Sequence, residues 1–272
     1  MRRLTLLVLL ILLVVGAVYA SRALADWRFI VPDAPGTLLY ATGFDSDDRN
    51  GDWEQAQGRL SAQITDGVMR VDVGTANEGV FAPLRWYFTD FDIRVNTTAI
   101  EGPENNSYGL LFRQRDLNNY YYFMISSDGY YSVYRVTNGT GKQLSEWIQS
   151  EVIETGIGSS NQIRVTGQGN QFQFFINDQS VELCIPDNPE AESTIHPLTG
   201  ECMEGQMLTT LMDDAHAYGR VGVIVEALDE PDIVVDFDQL VIYSPPDAPA
   251  APDSASAHSP ANDSMGYAAI LP

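Results

Sequence analysis

The chain has 272 residues carrying 15 basic and 37 acidic side chains, a formal net charge of −22, and 2 cysteines. So acidic a surface excludes nucleic acid as a partner, because phosphate backbones are drawn to clustered Lys and Arg. The single lysine is Lys142, and the acid excess suits an exported β-protein that must stay soluble with its sheet edges unpaired.

Arg2 and Arg3 precede an apolar run over residues 4–15, continued through 16–20, and Ala23-Leu24-Ala25 offers small residues where a signal peptidase cuts. Residues 1–25 therefore read as an export signal, either removed or retained as an N-terminal anchor helix with its arginines inside. An apolar stretch of about 17 residues lies at the short edge of what spans a ~30 Å bilayer. Both outcomes place the body outside the cytoplasm, secreted or membrane-anchored, and membrane contact is expected only through residues 4–20 if the leader is retained. Without 1–25 the body has 12 basic against 37 acidic residues, a net charge of −25.

Residues 26–36 read as a connector and 37–243 as one globular body, a normal size for a single large β-sandwich. The acidic run Asp45, Asp47, Asp48, Asn50, Asp52, Glu54 fails the spacing of a calcium loop, since Asn50 stands where that loop needs glycine. Beyond it, apolar and polar residues alternate with period 2 in one segment after another: 60–64, 68–73, 91–96, 108–136, 163–166, 172–177, 221–225 and 233–242. Roughly 12 to 14 strands without an amphipathic helix predict an all-β chain of two packed antiparallel sheets, with at most a turn or two of helix near 205–217.

The stretch 108–136, YGLLFRQRDLNNYYYFMISSDGYYSVYRV, predicts three consecutive antiparallel strands. With Asp128-Gly129 as a two-residue turn, Phe123 lies opposite Tyr134 on the core face and Tyr122 opposite Arg135 on the other. Tyr120, Tyr122 and Arg135, joined by Arg113 from the preceding strand, are then the candidates for an open, ligand-binding face, where rings stack on sugars and polar groups meet their hydroxyls. The bland alternative is a set of cross-strand pairs that only stabilise a sheet.

Cys184 and Cys202, the only cysteines, are expected to form a disulfide that closes a proline-rich polar insertion. His196 alone beside two thiols lacks the paired spacing of a zinc site. Asp229, Asp232 and Asp238, in a second acidic cluster, are the candidate ligands of a structural calcium; no other cofactor is expected. Residues 244–272, dominated by Pro, Ala, Ser and Asp, read as a disordered tail.

The order of segments, with "DGVMRVDV", "FDIRVN", "YGLLFRQRDLNNYYYFMIS", "NQIRVTGQGNQFQFFIND", "GRVGVIV" and "VVDFDQLVIY", resembles the concanavalin A-like lectin/glucanase superfamily. It is most similar to laminin-G-like sandwiches and to the domain associated with 3-keto-disaccharide hydrolases. The resemblance implies a jelly-roll sandwich, and in some members calcium at the sandwich rim. For activity it implies little, because the superfamily holds lectins, adhesion modules, glycosidases and structural domains. The Glu-x-Asp-x-x-Glu or Glu-x-Asp-x-Glu strand of its glucanases is absent. Asp90/Asp92 and Asp236/Asp238 have the right period but read as outer or rim positions. None of the three histidines accompanies a Gly-x-Ser-x-Gly turn.

The expected function is an exported, non-catalytic module that binds carbohydrate or recognises a surface, its partner a polysaccharide or an extracellular protein. Two alternatives stay open: a sugar-processing hydrolase of the 3-keto-disaccharide hydrolase type, and a structural subunit of a cell-envelope complex.

Overall fold

The computed structural model describes residues 2–25, 28–30, 32, 34–45 and 47–246; the expected tail lies outside the described residues from 247 onward. A leading helix, α1, spans Arg2–Ala25. Its side chains are described over 8–20, where all are exposed. Among the described residues no helix is long and apolar enough to cross a membrane.

The strands follow in order: β1 Arg28–Ile30, β2 Leu38–Thr42, β3 Leu60–Thr65, β4 Val68–Val73, β5 Glu78–Phe88, β6 Phe91–Glu101, β7 Ser107–Asp116, β8 Asn119–Ser126 and β9 Tyr130–Thr137. Then come β10 Thr140–Gln149, β11 Ser160–Gln168, β12 Gln171–Ile176, β13 Gln179–Ser180, β14 Leu183–Pro186, β15 Gly205–Leu208, β16 Leu211–Met212, β17 Gly219–Ala227 and β18 Ile233–Tyr243. They build two large sheets. The 7-stranded sheet has the order β1-β5-β17-β7-β8-β9-β10, and the 9-stranded sheet runs β13-β12-β11-β6-β18-β4-β3 with β16 on β12 and β2 on β18. All described pairings in them are antiparallel except β1 on β5, so part of the segment read as a connector supplies an edge strand.

Alternation decides which side chains meet between the sheets. In β4, Met69, Val71 and Val73 are buried while Val68, Arg70 and Asp72 are not; in β18, Ile233, Val235 and Phe237 turn inward likewise. Phe112, Phe123, Phe172 and Phe174 interlock at the centre with ring centroids 5.0–6.2 Å apart. Each such side chain contributes about 1.5–3 kcal/mol through burial, which is why the inward set holds the register of every strand it belongs to.

Two expectations are corrected. The β8–β9 connection has three residues, Ser127, Asp128 and Gly129, with Gly129 at φ 96° and its amide bonded to the Ser126 carbonyl at 3.1 Å. The pairs are therefore Phe123 with Val133, Tyr122 with Tyr134 and Tyr121 with Arg135, one residue away from the two-residue reading. That shift turns Tyr134 outward beside Tyr122 and Arg135 inward. Second, residues 205–217 form the short strands β15 and β16 rather than a helical turn. Asp92 keeps the outward parity read for it, yet it is only 3% exposed because Arg94 and Arg164 cover it.

The insertion after β13 folds as the β14–β15 ribbon, tied by the Cys184–Cys202 disulfide across a sequence separation of 18. It docks on β10. The Cys184 amide donates to Ser145 Oγ at 3.2 Å, the Glu146 amide to Ser193 Oγ at 2.9 Å, and Ser193 Oγ to the Cys184 carbonyl at 2.7 Å. The sheet's β10 edge is thereby covered instead of being left open to another chain.

A crosslink of this span is worth ~3 kcal/mol in the chain-entropy model. Replacing Cys184 and Cys202 by alanine is expected to speed amide hydrogen exchange in β14 and β15 by roughly 100-fold while leaving β8 unchanged. Exchange mass spectrometry of the oxidised and the substituted chain checks this.

Candidate functional site

Of the four predicted ligand-binding residues, the structure brings Tyr120 and Tyr122 together on the outer face of the 7-stranded sheet and places Arg113 and Arg135 elsewhere. A bulge between Phe112 and Asp116 interrupts the β7–β8 ladder, and Arg113 within it takes φ 49°, which turns its side chain off the outer face. Arg113 is 1% exposed; it donates to the carbonyls of His216 at 2.9 Å and Thr89 at 3.0 Å, and its guanidinium sits 4.6 Å from the Phe172 ring centre. Burial lowers its pKa, opposed by Asp90. Arg135 pairs with Asp213, which also accepts from the Tyr121 hydroxyl. Both arginines tie the β16–β17 connection to the end of the core.

The predicted calcium ligands do not assemble. Asp229 and Asp232 are exposed at the β17–β18 turn, whereas Asp238 lies six residues along β18, about 20 Å away in an extended strand. Among the described residues no group of three or more His, Cys, Asp or Glu is placed to hold a metal ion.

The outer face of the 7-stranded sheet carries a second apolar cluster, separate from the core. Leu111, Met124 and Ile224 are fully buried there although no sheet lies over them, because aromatic side chains cover them. Phe81 and Tyr120 touch with ring centroids 5.2 Å apart, Tyr120 and Tyr122 at 5.8 Å, and Tyr122 and Tyr134 stack at 5.0 Å with an interplanar angle of 8°. Trp147 on β10 joins the same cluster. The register puts β5 three strands from β8, roughly 14 Å apart, so Phe81 and Tyr120 meet only by leaning across the sheet. Gly109 and Gly222, in the two strands beneath, add no side chain to that face, and neighbouring backbone leaves no room for one. A Cβ on Gly109 would fall 2.0 Å from the Phe123 carbonyl oxygen, and one on Gly222 2.4 Å from that of Ala82. The result is a row of rings over an apolar floor of Leu111, Met124, Val136 and Ile224, with Tyr120, Tyr134, Trp147 and Phe81 partly exposed.

One carboxyl belongs to this face and was not singled out from the sequence. Glu226 on β17 stands in register with Gly79 on one side and Ser107 on the other, on the same face as Ile224. A Cβ at Gly79 would lie 3.1 Å from Glu226 Cγ, so the missing side chain is what makes room for the acid. Burial pushes the Glu226 carboxyl above its ordinary range, and the Ser107 hydroxyl draws it back only in part. That hydroxyl is itself buried, with no well-formed hydrogen bond. Burial, then the Glu226 charge, also raises Tyr120 and Tyr122; Tyr134 is pushed up to about 12 by burial and by Glu146. The legible signal was a lone acid at the outward parity of an otherwise apolar strand, VGVIVEA.

The outer face of the other sheet has a polar recess of about 470 Å³ lined by Asn96, Thr98, Ser160, Gln162, Asp236 and Asp238. Its groups satisfy one another: Thr98 with Ser160 at 2.6 Å, Gln162 with Asn96 at 3.2 Å, and Arg70 bidentate on Asp236 at 2.7 Å. It has volume but little unmet hydrogen-bonding demand, so the aromatic face is the stronger candidate.

No family model matches the sequence, and no curated protein does. Solved structures match in fold. A protein of unknown function with a galectin-like fold from Bacillus subtilis superposes with a TM-score of 0.51 at 13% identity, over 77% of this chain and 97% of that one. The GH43 protein BlXynB from Bacillus licheniformis gives a TM-score of 0.51 at 13% identity, over 76% of this chain and 39% of that one. The chain thus spans well under half of BlXynB, and what the two likenesses share with it is the fold. That fold is the concanavalin A-like jelly roll that the strand order implied.

Because the folded chain holds the Glu226 proton more tightly than the unfolded chain does, the residue subtracts from stability as pH rises through its folded pKa, and costs nothing below the unfolded value. Glu226→Gln is therefore expected to raise the melting temperature at about pH 8, by about 2–4 °C for each kcal/mol of penalty removed, and to leave it unchanged near pH 3.5. Paired thermal melts at the two pH values check the sign.

Proposed function

We propose that this chain binds carbohydrate on the aromatic outer face of its 7-stranded sheet without cleaving it. The observation that carries the reading is the continuous row Phe81, Tyr120, Tyr122, Tyr134 and Trp147 over a small apolar floor, with a half-buried acid on the same face. Flat rings match the C–H faces of pyranoses, and a half-satisfied polar pair matches their hydroxyls. A cluster that served only stability would have no use for Glu226, which a neutral residue of the same shape would replace at a gain.

The geometry supports binding over hydrolysis. Glycosidases place two carboxyls ~5–9.5 Å apart across the scissile bond. Glu226 and Glu146, both near the rings, stand on β17 and β10, four strands and about 19 Å apart. Glu146 is moreover engaged with the Gln143 amide at 3.0 Å. The acid pair Asp236/Asp238 on the other sheet is compromised by the Arg70 fork on Asp236. Fold likeness to part of a GH43 protein agrees with a sugar-linked role, and an exported location agrees with the disulfide.

A glycan array followed by isothermal titration tests the proposal. Binding of at least one saccharide is expected, weakened about tenfold or more by Tyr122→Ala and by Tyr134→Ala, and unaffected by Asn96→Ala in the recess of the other sheet. Loss through Asn96→Ala with the tyrosine variants intact would move the site to the opposite face.

A further inference from the structure

The charge of the aromatic face narrows its ligand. Glu226, half-buried on β17, has only the hydroxyl of Ser107, itself 1% exposed, set against its desolvation. No cation answers it from the basic residues whose pairings are described: Arg70, Arg94, Arg135, Arg164 and Arg220 are held by other carboxylates, and the Lys142 ammonium donates to the Pro189 carbonyl. A carboxylate kept among apolar groups without a counter-charge is costly until something positive reaches it.

The rings beside it point the same way. Glu226 follows Ile224 by two residues on the same face of β17, and Phe81, in register with Ile224, touches Tyr120 with ring centroids 5.2 Å apart, so acid and rings share one stretch of the face. Their faces carry the negative side of the aromatic quadrupole, which attracts ammonium groups and gains most when the contact is dry. Acid and ring faces therefore present one sign of potential to a ligand. The chain's overall acidity adds little at this range, since it is screened beyond about 8 Å at physiological salt.

We infer that the ligand of this face is a saccharide bearing a protonated amine, with the ammonium held between Glu226 and the tyrosine rings and the sugar ring stacked on Tyr134 and Trp147. Ser107 Oγ, beside Glu226, then accepts from or donates to the adjoining hydroxyl. The inference rests on the proposed sugar-binding role of the face and adds the charge of what it binds.

Isothermal titration of the full chain with three oligosaccharides of equal length tests it: a glucosamine oligomer, the N-acetylglucosamine oligomer, and a neutral glucan. The glucosamine oligomer is expected to bind about tenfold tighter than either of the others, and Glu226→Gln to abolish that preference. Since Glu226→Gln removes one acid of 37, a polycation held merely by general charge would bind the variant as well as the parent. Equal binding by parent and variant therefore overturns the inference. Equal or better binding of the acetylated or neutral oligomer, lost in Tyr122→Ala, overturns it as well while leaving the sugar-binding role intact. Absence of binding by all three overturns the inference and leaves the sugar-binding role to the glycan array. The free-amine against acetylated comparison is made on the unaltered chain, so the lack of a free-amine preference overturns the inference even where the variant is unstable.

Discussion

A single left-handed glycine sets which half of the tyrosine-rich hairpin faces water. Gly129 closes a three-residue connection between β8 and β9, and because side chains alternate strictly along each strand, that one residue fixes the parity of β9 against β8. With it, Tyr121, Phe123, Val133 and Arg135 face the other sheet, and Tyr120, Tyr122, Tyr134 and Ser132 face outward. A two-residue turn would exchange Tyr134 for Arg135 and put a cation where the structure has a stacked ring. The aromatic row, its apolar floor and the isolation of Glu226 from arginine all depend on this register.

Two kinds of packing follow from it, and they do different things. Between the sheets, fully buried phenylalanines and aliphatic side chains supply the bulk of the folding free energy, and inward polar side chains find partners there: Arg113 on two carbonyls, Tyr121 and Arg135 on Asp213. On the outer face the aromatics cover only a few residues and leave their own ring faces part-exposed. Aromatic pairs of this kind are worth about 0.5–1.5 kcal/mol each beyond area, enough to order the row. At Glu226 the balance runs against stability, and such local cost is where functional pressure is usually to be found.

Much of this was legible in the sequence. Period-2 alternation, the turn residues and the strand order sufficed for the fold, the disulfide followed from two cysteines in a chain read as exported, and Tyr120 and Tyr122 were placed on the outer face, where the structure has them. What was not legible depended on single residues of backbone. Arg113 obeys alternation until a bulge with φ 49° turns it inward, and no local pattern announces a bulge. Arg135 and Tyr134 changed places because Asp128-Gly129 fits both a two-residue and a three-residue connection. Phe81, Trp147 and Glu226 come from strands remote in sequence, so only the sheet order β5-β17-β7-β8-β9-β10 reveals that they share a face with the tyrosines.

The most direct measurement is an NMR titration of the chain labelled in its tyrosine rings, with soluble free-amine and acetylated oligosaccharides added in turn. If the outer face of the 7-stranded sheet is the ligand surface, the ring signals of Tyr120, Tyr122 and Tyr134 shift together and saturably, while Tyr40 in the core and Tyr243 on the opposite sheet stay fixed. Shifts confined to Tyr243, or none in the hairpin at a concentration where calorimetry detects binding, would contradict the account.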